Sequence, residues 1–153
     1  MIVKRGYIQP TKLQLQNAKK HGCMHFTYSD DDFLSDANKL KFSLYGKDTV
    51  FEAQVLVKAK NVYPHTDDWL GNNGIPLERR NIFWYMGGVH DYSHVILLQV
   101  GNESFRMKKG DWCILDDSIL HSVFSNKLWV GLICQLSNAF MHEIDDYLGD
   151  DLQ

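Results

Sequence analysis

The residues best suited to chemistry lie in Tyr63-Pro64-His65-Thr66-Asp67-Asp68. Side chains two apart in extended chain point to the same side, so His65 and Asp67 direct an imidazole nitrogen and a carboxylate oxygen at one point. A metal held in this way needs a third ligand. His121 offers one, at the end of Gly110-Asp111-Trp112-Cys113-Ile114-Leu115-Asp116-Asp117-Ser118-Ile119-Leu120, which reads as a turn, a buried strand and a second acidic turn. In a rolled-up sheet the strand of His121 can neighbour that of His65. Two imidazoles and one carboxylate on one face of an octahedron leave three positions open, an arrangement that suits non-haem iron(II) with a bidentate cosubstrate and dioxygen. Open positions imply catalysis rather than a structural metal. His-x-Asp alone is a weak signal, since a turn capped by Asp67 beside a surface His65 reads the same way. The combination with a Gly-Asp turn and a later histidine, inside an all-β pattern, is what carries the reading.

The elements that must position these groups are short strands. From Thr49 onward the segments 50–57, 81–86, 94–100, 104–107, 112–115 and 128–133 are β-branched or aromatic and bounded by Gly, Asn or Asp. Several such strands at close spacing predict a sandwich or barrel, with Trp112, Phe83, Trp129 and Phe105 filling it. Thr11-Lys12-Leu13-Gln14 matches a capping box, and helix formers run on to Lys20 before Gly22, which predicts a helix over 11–21. Ser29 followed by Asp30, Asp31 and Asp32 is a second helix start, with Phe33, Ala37 and Leu40 on one face. Phe140, Met141, Ile144 and Leu148 stand at helical spacing and predict a terminal helix over 138–148. The organisation expected is a single domain over 1–153: support from 1–48, a β core over 49–136, and the terminal helix.

Composition agrees. The chain has 153 residues, 44% hydrophobic and 23% charged, the balance of a soluble globular domain. Its formal charge is -3, from 16 Lys+Arg against 19 Asp+Glu, and no basic stripe of the kind that grips duplex nucleic acid stands out. Cys23, Cys113 and Cys134 form no CxxC pair and read as free thiols of a reducing compartment. Neither a signal peptide nor a run approaching the ~18 apolar residues of a membrane span is present. These features predict an intracellular, cytoplasmic location.

Over about residues 50–136 the chain resembles the 2-oxoglutarate and iron(II)-dependent oxygenases, particularly the compact prolyl-hydroxylase type. The resemblance implies a double-stranded β-helix, a jelly-roll or cupin-like barrel, with iron bound by His65, Asp67 and His121. It implies 2-oxoglutarate as cosubstrate, dioxygen as oxidant, and a hydroxylated or demethylated product. Members of the family often place a tyrosine on the strand after the His-x-Asp loop to bind the cosubstrate's distal carboxylate, and Tyr85 is the candidate here. The arginine that usually follows the distal histidine is absent from residues 122–129. Lys127 is the substitute, a point charge without the planar fork, with Arg106, Arg79 and Arg80 in reserve. A solvated turn lysine is the plain alternative for Lys127.

His90 and His94 lie in a glycine-containing loop, where four-residue spacing does not converge on a metal as it would on a helix; a rim to the site is the better reading. His21, His25 and His142 show no partner pattern. Trp69, in the loop after Asp67, is either a lid over substrate or ordinary core. The substrate expected is a small molecule, a peptide side chain or a nucleobase. Two rivals share the fold: a cupin-type metal enzyme, with 110–121 as its second motif, and a non-catalytic binding module.

Overall fold

A computed structural model of the chain describes residues 2–21, 27–28, 51–66, 80–116 and 118–136. Asp67, Trp69, Arg79, His25, Cys23, His142 and the helices expected over 29–40 and 138–148 lie outside the described residues. So do the side chains of Arg80, His21 and Cys134.

The chain runs β1 (Ile2–Tyr7), α1 (Lys12–His21), β2 (Thr27–Tyr28), β3 (Phe51–Ala59), β4 (Val62–His65), β5 (Arg80–Gly88), β6 (Ile96–Val100), β7 (Glu103–Met107), β8 (Asp111–Asp116), β9 (His121–Phe124) and β10 (Trp129–Leu136). The capping box forms as the sequence predicts: Thr11 N–H donates to Gln14 Oε1 at 2.8 Å, and Gln14 N–H to Thr11 Oγ1 at 3.1 Å.

Two antiparallel sheets result. One has the order β1-β8-β5-β10-β3-β2, the other β4-β9-β6-β7. Taking β3 to β10 in chain order, successive strands pass from one sheet to the other except at the β6–β7 hairpin, so that the four of one (β8-β5-β10-β3) face the four of the other. That order is the double-stranded β-helix, and the fold is mainly β, as expected. The interior takes alternate residues from both sheets, including Phe83, Tyr85, Trp129, Leu98, Met107, Cys113 and Val123, all buried. Phe83 and Tyr85 meet Trp129 edge-on, with ring centroids 5.6 and 6.3 Å away.

The larger sheet is buried on its second face too. Leu56, Ile82, Trp84, Met86, Ile114, Val130 and Leu132 point away from the sandwich interior and are covered, with α1 packed against β3, β5 and β10. Trp112 belongs to this face. It is buried as expected, but alternation places Cys113, its neighbour, in the interior instead. Its ring lies against Gly6, where an added Cβ would fall 2.1 Å from the indole. The N-terminal strand β1, which polarity patterning does not reveal, pairs with β8 at the sheet edge. It also ties the sheets together: Ile2 N–H donates to Glu103 Oε2 at 2.6 Å, and the Arg5 guanidinium lies 4.4 Å from the Phe105 ring centroid.

Candidate metal site and its surroundings

In the smaller sheet β9 lies between β4 and β6. Val123 pairs with Val62 and Leu98, and His121 with His65 and Val100. His121 and Val123 are two apart, so the imidazole points the same way as Val123, to the interior. His65 reaches the same side by a different route. Val62 and His65 are three positions apart where Val123 and His121 are two apart, and the register shifts between them. The extra residue is a bulge at Tyr63-Pro64, where proline's missing N–H is tolerated. Without that bulge His65 would alternate onto the outer face; with it, Tyr63 stands out in solvent, 81% exposed, and His65 turns inward.

The two imidazoles therefore meet at one end of the sandwich, half-buried, with ring centroids 4.3 Å apart and planes tilted by 56°. Two imidazoles bound at right angles to one ion, at the usual ~2.0 Å nitrogen–metal distance, have centroids about 4.5 Å apart. Their tautomers follow from their neighbours. His65 Nδ1 lies 2.8 Å from the Tyr63 carbonyl oxygen, and His121 Nδ1 lies 2.8 Å from that of Ile119. A carbonyl only accepts, so each Nδ1 carries the proton, and in the neutral ring the lone pair is on Nε2. Backbone carbonyls orient metal-binding histidines in the same way. The donor set thus fits a borderline divalent metal such as iron(II) or zinc. Among the described residues no third His, Cys, Asp or Glu joins the pair; Asp67, two residues past His65, is outside them.

The residues assigned to 2-oxoglutarate lie elsewhere. Tyr85 is fully buried in the interior, where its hydroxyl donates to the His94 carbonyl at 2.5 Å. Burial, and secondarily the Asp91 charge, hold its ionisation well above the usual phenol range. Lys127 sits on the β9–β10 turn, half-exposed, with its ammonium 3.3 Å from Asp91 Oδ2. Arg106 is on β7 between inward-pointing Phe105 and Met107, so it faces outward into solvent. The strand β6 separates these turns from the imidazoles: Ile96 is at their end and Val100 at the histidine end, about 13 Å apart at the strand rise.

His90 and His94 are on the loop 89–95, at that opposite end. His90 is exposed. His94 Nε2 lies 2.8 Å from Ser125 Oγ, whose own proton goes to the Lys127 carbonyl at 2.6 Å, so His94 is the donor. Ser125 N–H donates to Asn61 Oδ1 at 2.8 Å. No local pattern in the sequence marks Ser125 and Asn61, because their role lies in pairing two turns far apart along the chain.

No family model matches the chain, and no curated protein does. Solved structures similar to it include the cupin domain of Schizosaccharomyces pombe Cnp3, at 14% identity and a TM-score of 0.44, covering 63% of this chain and 60% of that one. A Klebsiella pneumoniae protein with a double-stranded β-helix domain gives 11% identity and 0.42, covering 85% and 83%. A salicylate 1,2-dioxygenase from Pseudoaminobacter salicylatoxidans gives 9% identity and 0.40, covering 76% of this chain and 36% of that one. Each likeness is partial, and the fold assignment rests on the strand order itself. No helix among the described residues is long and apolar enough to cross a membrane.

Proposed function

We propose that this chain is a cupin-type, metal-dependent oxidoreductase that binds iron(II) through His65, His121 and Asp67 and oxidises a small organic molecule with dioxygen. The observation that carries the proposal is the imidazole pair, brought together across β4 and β9 with both Nδ1 protons held by backbone carbonyls. Iron(II) so held supplies open positions at which dioxygen and a chelating substrate can meet. The chain's own residues do the rest. The carbonyls of Tyr63 and Ile119 fix the two rings through Nδ1 and make Nε2 the atom of each that would hold the ion. Val123 belongs to the interior cluster and Val62 and Ile119 pack against it, an apolar backing next to the histidines in the chain that would exclude water and strengthen electrostatic contacts at the site. Tyr85, Phe83 and Trp129 fill the interior, so substrate would have to approach from the end that carries the histidines.

A 2-oxoglutarate-dependent hydroxylase or demethylase is the second reading, favoured by the order His65, Asp67, then His121. It needs a cationic anchor, and the outward or paired settings of Lys127 and Arg106 favour the version without one. Anaerobic calorimetry with iron(II) and with manganese(II) tests the proposal. The expected result is uptake of one ion per chain, weakened at least ~100-fold in His65→Ala and in His121→Ala; unchanged affinity in both variants would refute it. Oxygen uptake that depends on added 2-oxoglutarate would establish the second reading instead.

A further inference from the structure

We propose that Tyr92, Lys19, Lys109 and Lys12 form a binding site for a phosphate group, on the surface where α1 meets the loop 89–95 and the β7–β8 turn. The site lies at the end of the sandwich opposite the imidazole pair, and it does not depend on the metal reading.

Three elements converge there. Lys12 and Lys19 are two turns apart on α1 and so share one side of the helix. Lys19 Nζ lies 3.9 Å from the Tyr92 ring centroid, and Lys109 Nζ lies 5.9 Å from it. Lys109 is fixed from behind by the Gly87 backbone, where an added Cβ would lie 3.4 Å from its Cγ. Lys58 Nζ donates to the Lys19 carbonyl at 3.1 Å, which pins the end of α1 and adds a fourth ammonium nearby. Tyr92 itself is 49% exposed.

The described carboxylates closest in sequence are engaged elsewhere. Asp91 accepts from Ser93 N–H and Oγ on one oxygen and from Lys127 on the other. Asp111 accepts from the Lys108 N–H at 2.7 Å. The ammonium groups therefore crowd one phenol with no described carboxylate between them, and an anion relieves their repulsion. In agreement, the Tyr92 hydroxyl is pulled below its ordinary ionisation range, first by the adjoining Lys19 ammonium and then by the charges of Lys109 and Lys12. Lysines are point donors that suit a tetrahedral oxyanion, and the phenol adds a donor of its own. A free phosphorylated metabolite and a lipid headgroup present the same group.

The test is titration of the whole chain with inorganic pyrophosphate at constant ionic strength, followed by amide NMR and by near-ultraviolet absorbance of the phenol. Saturable shifts are expected at Tyr92, Lys19 and Lys109, and the ionisation of Tyr92 should move to higher pH as bound anion neutralises the lysines. The double variant Lys19→Ala, Lys109→Ala should bind on the order of tenfold more weakly. Sedimentation with phosphatidylcholine vesicles, with and without phosphatidic acid, separates the two sources: capture by the acidic vesicles alone marks a headgroup site, and no capture marks a soluble ligand. Shifts that sodium chloride reproduces, or undiminished binding by the double variant, would overturn the proposal.

Discussion

The two ends of the β sandwich are built on opposite principles. At one, His65 and His121 are half-buried side by side, each oriented by a carbonyl only two residues back in its own chain. At the other, Tyr85, His94, Ser125, Asn61, Lys127 and Asp91 interlock three separate turns, with hydrogen bonds reaching across 64 positions in the case of Asn61 and Ser125. Short-range bonds orient a side chain without tying the fold together, whereas long-range ones tie the fold and leave their members nothing further to do. The first end leaves its two imidazoles side by side, as the proposed metal site needs, and the hydrogen-bond network at the second holds turns together.

The sharpest way to break that contrast is to exchange the effects. Trp129 joins the interior to the closed end, its indole N–H donating to the Lys60 carbonyl at 2.6 Å, and Trp129→Ala should cost about 3–5 kcal/mol of stability in denaturant unfolding. His65→Ala and His121→Ala should do the reverse: a loss of metal affinity of two orders of magnitude or more by calorimetry, with a change in unfolding free energy below about 1 kcal/mol. Equal destabilisation by the two kinds of variant would erase the distinction. Tyr85→Phe leaves the His94 carbonyl without its donor and should cost about 1–2 kcal/mol, with metal affinity unchanged. The smallest effect belongs to Lys127→Ala. Its ion pair with Asp91 is 54% and 42% exposed, so stability should move by less than about 1 kcal/mol, and any dependence of turnover on 2-oxoglutarate should be untouched.

The interior makes a pH prediction of its own. Burial pushes the Cys113 thiol from an ordinary 9.0 up to about 12. Below pH 9 the folded and unfolded chains both hold that proton, and its contribution to stability is fully present. Between pH 9 and about 12 only the unfolded chain releases it, so the contribution is lost by about 1.4 kcal/mol per pH unit. A Cys113→Ala variant should show a shallower alkaline decline in urea unfolding than the parent chain.

Much of the barrel was legible because strands announce themselves locally. The β-branched and aromatic runs at 81–86, 104–107 and 112–115 each fall within an observed strand, and the Thr11 capping box marks α1. The mixed polarity of Ile2–Tyr7 hides β1, an edge strand that one neighbour defines. That His65 and His121 could approach was also readable, from their place in a rolled-up sheet. What could not be read was orientation. Lys127, Arg106 and Tyr85 take their directions from sheet alternation and from turns elsewhere in the chain, which spacing along the sequence does not encode.

The bulge at Tyr63-Pro64 makes the imidazole pair tolerant of one kind of genetic accident. Loss of a single codon between Val62 and His65 would leave those two side chains spaced as Val123 and His121 are, so plain alternation along β4 would still keep the ring on the inner side. What endangers the pair is a straightened strand: a change that removed the bulge but kept every residue would swing the imidazole out to solvent with the barrel intact.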